Sequence, residues 1–396
     1  MTAAVSLDLD AMMANPFPYF AAMRAADQWT WSEQMQMWLV TRFNDVVFVD
    51  ANPQIFSAEV PGALLTRSIG LTMIRSEGAA HRRFRNAADT PLKRRSVQRS
   101  WPDVIAGLVA QHLVPLREHS AADLVQDFAG PFTGACLRAV LGLPDASAAD
   151  IERWSNSYIG GLINNSDDPD VWAETATASA EARDCVAAVL DRVRAEPDAT
   201  VVSAMANAYP DAPLSLEEIT ANIRLMIAGG FNDARDAVAT LPWLLMTHPE
   251  IRARVAQEPA DFERSIDESV RWLSPVGSYP RILTEDYSSP AATLRAGDKV
   301  LVVAASANWD ETTFAQPETF DIDRPNLDEH LGFSVGTHYC LGSHLVRAMV
   351  RAAVPALLEL PGIHPTADPQ FVGWQFRGPL SVPVAFEPSD EQEGTP

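Results

Sequence analysis

The sequence predicts a mainly α-helical fold with a minor β part. Three features carry this expectation. Between Ser215 and about Thr247, apolar residues recur at helical spacing without interruption. From about 121 to 206, Ala-rich helical segments alternate with short polar breaks. After Pro275 the texture changes: VGSYPRILTEDYSS, ATLRAGDKVLVVAAS and QFRGPLSVPVAFEP read as short strands and turns. No internal repeat and no linker divides the chain. One domain is therefore expected over 1–386, followed by a polar, acidic tail over 387–396 that is expected to be disordered.

Taken in order, PFPYFAAMRAAD opens a short helix, and MWLVTRFNDVVFVD joins a strand-like run to a turn expected at Asn44 and Asp45. HRRFRNAADTPLKRRSVQRSW is basic, and WPDVIAGLVAQHLVPLREH has the spacing of an amphipathic helix. Ser215 and Glu218 form a capping-box pair at the start of the longest helix, and Pro249 follows its end. At 1.5 Å per residue that helix spans about 50 Å.

Composition narrows the function. The chain has 396 residues, 47% of them hydrophobic, and a formal net charge of −22. Such an acidic chain is a poor match to nucleic acid or to an anionic membrane surface. Three cysteines, Cys136, Cys185 and Cys340, do not make a disulfide framework, which points to a reducing, cytoplasmic setting. The N-terminus lacks the basic region and apolar core of a signal peptide. No apolar run reaches the length of a membrane span.

Cys136 and Cys185 lie on apolar helical faces and read as packing residues. Cys340 differs. In FSVGTHYCLGSHL, Gly336 and Gly342 clear space around it, and an apolar helical run begins directly afterwards. A cysteine near a helix N-terminus favours the thiolate, which is a metal ligand or a nucleophile. A zinc site built from His338, Cys340 and His344 lacks a fourth ligand at recognisable spacing. A nucleophile would want a base and an oxyanion site that nothing here specifies. The remaining option is an axial thiolate on haem iron.

The pattern Phe333-x-x-Gly336-x-His338-x-Cys340-x-Gly342 resembles the haem-binding signature of the cytochrome P450 family, with Ser334 where many members carry a second glycine. Glu268-x-x-Arg271 resembles the family's motif of that spacing. ANWDETTFAQPETFDIDRP resembles its meander, in which Arg324 completes a buried network with Glu268 and Arg271. His81-x-x-x-Arg85, Arg281 and His338 match the family's contacts to the haem propionates. The resemblance implies the P450 fold, with a long distal helix over haem b and a cysteine loop beneath it. It also implies Cys340 as the iron ligand and a monooxygenase that activates O2.

By the same resemblance the Ser215–Thr247 helix crosses the haem, and Gly229 and Gly230 open a groove in it for dioxygen and water. Asn232 and Asp233 stand where most members have an acid followed by threonine, so proton delivery is expected to differ. The expected pocket draws on Leu64, Leu65, Ile69 and Leu71 in the loop 57–74, and on Ile227, Phe231 and Val276. Trp374 and Phe376 add aromatic surface in VGWQFRGPLS, which resembles the C-terminal loop of aromatic O-demethylases such as the guaiacol enzyme.

Few fixed charges appear in these stretches. The expected substrate is a small, mostly apolar aromatic ether of the methoxyphenol kind, with O-demethylation as the reaction. Alternatives are a branched aliphatic ether, hydroxylation of a terpenoid or polyketide, and a haem-thiolate sensor without turnover.

No flavin or iron–sulfur segment is present. Electrons from NAD(P)H are thus expected through a ferredoxin with its reductase, or through a single flavin/iron–sulfur reductase. Between His81 and Arg99 there are seven Lys/Arg and one acid, Asp89, a basic patch suited to such an acidic partner, with Arg347 expected nearby.

Overall fold

The structure, a computed structural model, describes residues 7–26 and 28–387. The expected disordered tail lies outside them apart from Glu387. The described residues group into two compact units. The first contains residues up to Val60, Trp243–Cys340 and Pro369–Leu380. The second contains Pro61–Pro242, Leu341–Asp368 and the remaining C-terminal residues.

The first unit is built on a five-stranded sheet in the spatial order Thr30–Ser32, Met37–Val40, Lys299–Val302, Tyr279–Leu283 and Phe56–Ser57. Met37–Val40 and Lys299–Val302 run parallel, with Leu39 opposite Leu301 and Val40 opposite Val302; the other pairings are antiparallel. Strand alternation sends Val40, Val300 and Val302 into one apolar cluster with Phe43, Val46, Val49 and Phe314. Leu39, Leu301 and Val303 enter another with Met12, Phe20 and Trp374. The sheet is therefore covered on both faces, and its central strands read as continuous Val/Leu runs.

Asn44 and Asp45 are not a turn. They lie in the first turn of helix Phe43–Ala51. The Phe43 amide donates to the Asp310 carboxylate at 2.8 Å, so a residue remote in sequence satisfies this helix start and no local cap announces it.

The second unit is helical. Helix Pro169–Ala195 packs on Ala148–Leu162, which packs on Gly130–Leu141. The loop expected over 57–74 contains a short helix, Leu64–Ile69, seated on the first two of these. The Ala-rich region opens with a strand, Ala121–Asp123, not a helix. It pairs with Pro383–Ala385, which in turn pairs with His364–Pro365.

The longest helix runs Leu216–Thr247, as expected. Its capping box is formed: the Glu218 amide donates to Ser215 Oγ at 3.2 Å, and the Ser215 amide to Glu218 Oε2 at 2.7 Å. Ile219, Ile223, Ile227 and Phe231 are buried at helical spacing along it.

Candidate functional site

Cys340 lies in a loop whose backbone is unusual twice. Ser334 and Gly336 have φ of 57° and 68°, in the left-handed region. A Cβ on Gly336 would stand 3.1 Å from the Asp50 carbonyl oxygen, so both the dihedral and the space favour glycine. The turn closes when the Cys340 amide donates to the Phe333 carbonyl at 2.8 Å. The thiol is half-buried, and helix Ser343–Leu358 begins shortly after it in the chain. The other cysteines are poorer ligands: burial pushes the Cys136 thiol far above its usual range, and burial with nearby Asp145 and Asp150 raises Cys185. Among the described residues, no group of three or more His, Cys, Asp and Glu side chains is placed to hold a metal ion, so the zinc alternative has no ligand set.

The expected carboxylate–guanidinium network is present behind this loop. Glu268 accepts from Arg271 Nε at 2.7 Å and Nη2 at 2.8 Å, from Arg324 Nε at 2.9 Å, and from the Asp321 amide at 2.9 Å. All three side chains are buried. Each arginine also donates to backbone carbonyls, Arg271 to Pro317 and Arg324 to Gln316 and Thr319, so these buried charges are paired and hydrogen-bonded.

Asp50 was not legible as a site residue. It sits on the buried side of helix Phe43–Ala51 with 2% of its side chain exposed. Oδ1 accepts from Arg281 Nη2 at 3.1 Å; Oδ2 accepts from the Tyr279 hydroxyl at 2.5 Å and from Ser334 Oγ at 3.3 Å. Burial first, and then the Asp50 charge, hold the Tyr279 phenol well above its usual range, so it stays a donor. The only local signal is an acid in VVFVD at a helical position that Val46 and Val49 mark as core. Its partners lie in two other segments of the chain.

In the second unit, the two glycines of the long helix differ. A Cβ on Gly230 would come within 3.3 Å of Leu137, whereas one on Gly229 would meet nothing within 4 Å. Gly230 therefore serves helix packing, and open space lies beside Gly229. The Asn232 amide is directed at Ser155 Oγ, 3.4 Å away, and that hydroxyl contacts the Ala228 carbonyl at 3.4 Å. Asp233 is half-buried; desolvation and then the Asp236 charge push its pKa up to about 8. Arg235 pairs with Asp236 at 2.7 Å, and burial raises Asp236 to about 6.

His81 is buried and Arg85 half-buried on helix Gly78–Leu92, one turn apart on one face. Lys93, Arg94, Arg95 and Arg99 are exposed, with Lys93 paired to Asp89 at 3.0 Å. Helix Arg94–Ser100 packs on Ser343–Leu358. His344 there is held below the usual imidazole range by burial and then by the charges of Arg347, Arg94 and Arg351, which marks these three guanidiniums as one basic cluster.

The expected pocket residues divide. Leu65, Ile69, Ile227 and Phe231 are buried, Leu64 is half-buried, and Leu71 is 56% exposed. Val276 and Phe376 are brought together in an isolated antiparallel bridge. Trp374 belongs to the apolar cluster of Phe20, Leu39 and Leu301, where it packs the core.

A sequence profile of the cytochrome P450 family matches residues 262–361. The chain is 31% identical over 372 residues to the mycinamicin IV hydroxylase/epoxidase of Micromonospora griseorubida, covering 89% of this chain and 90% of that protein. It is 30% identical over 368 residues to a methyl-branched lipid omega-hydroxylase of Mycobacterium bovis, covering 88% and 84%. Among solved structures, that of CalO2 matches with a TM-score of 0.86 at 28% identity, covering 98% of this chain and all of that one.

Proposed function

The chain belongs to the cytochrome P450 family, and from that premise we propose that Cys340 is the thiolate ligand of its haem and that its substrate is a small, mostly apolar aromatic ether of the methoxyphenol kind. The family assignment supplies the coarser chemistry: this is a haem-thiolate monooxygenase that uses O2 and electrons from a redox partner. Among the described residues no helix is long and apolar enough to cross a membrane.

The observation that carries the ligand assignment is the Cys340 loop. Half-buried Cys340 follows two left-handed residues, Ser334 and Gly336, in a tight loop, which suits a single axial thiolate. In the first unit, buried Arg281 and half-buried His338 suit the cofactor's propionates, and the sequence resemblance gives His81 and Arg85 the same role. When bound, the haem supplies the activation of O2. Asp233 with its raised pKa keeps a proton near neutral pH and can pass it on, and Asn232 is the amide beside it.

The substrate assignment rests on the resemblance of VGWQFRGPLS to aromatic O-demethylase loops and on the apolar character of the residues that the same resemblance assigns to substrate contact, buried Leu65, Ile69, Ile227 and Phe231 among them. Hydroxylation of the carbon next to the ether oxygen gives a hemiacetal, which collapses to a phenol and an aldehyde. The basic cluster of Arg94, Arg347 and Arg351 supports an acidic electron donor, a ferredoxin or an iron–sulfur flavoprotein, as the partner drawing on NAD(P)H.

A second reading is hydroxylation of a larger apolar molecule of polyketide or terpenoid type. It draws on the names of the relatives, a mycinamicin hydroxylase/epoxidase and a lipid omega-hydroxylase. A spin-state titration of the haem-loaded protein with methoxyphenols, aliphatic ethers and macrolides, followed by product analysis with a reductase, decides between them. Formaldehyde and a phenol are expected from a methoxyphenol. Hydroxylated macrolide with no response to methoxyphenols would reject the ether assignment.

A further inference from the structure

We infer that Asp50 is a positioning residue that holds both the cysteine loop and Arg281, an inference that rests on the reading of Cys340 as the haem ligand. A buried carboxylate is costly unless it is paired and hydrogen-bonded. Asp50 is satisfied by three partners from two segments: Arg281 and Tyr279 on one strand, and Ser334 in the cysteine loop.

The contact to Ser334 is specific to the residue this chain carries there. Ser334 has φ of 57°, a left-handed conformation that is unfavourable for a non-glycine residue. Its hydroxyl is directed at the Asp50 carboxylate, 3.3 Å away, a contact that favours this conformation. Two residues on, the Asp50 backbone carbonyl faces Gly336 so closely that a side chain there would crowd it. One helix end thus touches the loop twice, by side chain and by backbone. Phe333, whose carbonyl receives the Cys340 amide, directly precedes the clamped serine.

Arg281 is fixed by the same carboxylate. One amino group is held by Asp50, the other lies 3.2 Å from the Pro280 carbonyl, and the guanidinium stacks over the Tyr279 ring at 4.7 Å. A guanidinium presents five donors, so one carboxylate orients it without exhausting it. Asp50 thereby couples the direction of a propionate-binding arginine to the shape of the loop that carries the thiolate.

The test uses the haem-loaded protein and follows, in mild urea, conversion of its CO complex from the thiolate-type to the thiol-type band. Asp50→Asn is expected to speed conversion about tenfold, the loss of one charged hydrogen bond. Ser334→Ala should speed it as well, and the double variant should fall short of the product of the two effects. Tyr279→Phe, which deletes one donor to Asp50, should speed it too, and it carries the test if Asp50→Asn does not fold. Glu311→Gln removes the partner of Arg24, elsewhere in the same unit, and should leave the rate unchanged. Asp50→Asn converting at the wild-type rate, or effects that simply multiply, would overturn the inference. A thiolate-type band that persists in Cys340→Ser would instead overturn the ligand assignment, and the inference with it.

Discussion

Arg271 donates to the backbone carbonyl of Asn308 at 2.8 Å. The Asn308 side chain accepts the Leu331 amide at 2.7 Å, and the Leu331 carbonyl accepts the Ser334 amide at 2.9 Å. The buried Glu268 network is thus tied, bond by bond, to the first residues of the cysteine loop.

Glu268→Ala should therefore yield little haem-loaded protein. It leaves Arg271 and Arg324 buried without their carboxylate, which costs roughly 3–5 kcal/mol. Haem content per chain and thermal unfolding measure this. Wild-type values of both would mean that the network carries no load.

Reversing Arg94 and Arg95 to Glu should slow reduction by an acidic iron–sulfur donor about tenfold or more at low salt, and flatten its salt dependence. Stopped-flow reduction over a range of ionic strength reads this. Turnover driven by hydrogen peroxide needs no docking and should be unchanged; equal loss in both assays would point to damaged folding.

Asp233 sets a stability change with pH. Its folded pKa of about 8 lies above the ordinary carboxylate value, so between about pH 4 and about pH 8 the folded state binds more protons than the unfolded state. Its contribution therefore becomes less favourable as pH rises through that window. Asp233→Asn should be more stable than the wild type at pH 8, with the advantage shrinking towards pH 5. Thermal midpoints across that range check it, and a difference independent of pH would contradict the raised pKa.

The same carboxyl bears on oxidant use. An acid that is partly protonated near neutral pH can take a proton from incoming peroxide and return it to the leaving oxygen, an acid–base role worth about 10² to 10⁴ in favourable cases. Asp233→Thr should cut peroxide-driven turnover while sparing turnover with NAD(P)H and a reductase. Parallel loss of both activities, or unchanged peroxide turnover, would remove Asp233 from this role.

What the sequence discloses depends on the range of the interaction. The start of the long helix was legible because Ser215 and Glu218 cap it locally. The Glu268 network and the cysteine loop were legible through fixed motifs. The helix at Phe43 was not, because its capping carboxylate, Asp310, stands 267 residues away. Helix Leu64–Ile69 was hidden in an apparently aliphatic loop with no side-chain cap at its start. Asp50 escaped for the same reason of distance, since its partners are 229, 231 and 284 residues further along. Trp374 looked like pocket surface because sequence does not say which side of an irregular segment faces the core; the structure buries it with Phe20 and Leu301.

The most direct test of the account is the CO spectrum of the reduced, haem-loaded protein in single cysteine variants. Cys136→Ser and Cys185→Ser should keep the thiolate-type band, since both side chains are packing residues on helices of the second unit. Cys340→Ser should lose it completely. A thiolate-type band retained in Cys340→Ser would contradict the assignment of the iron ligand, and with it the account of the loop built around that residue.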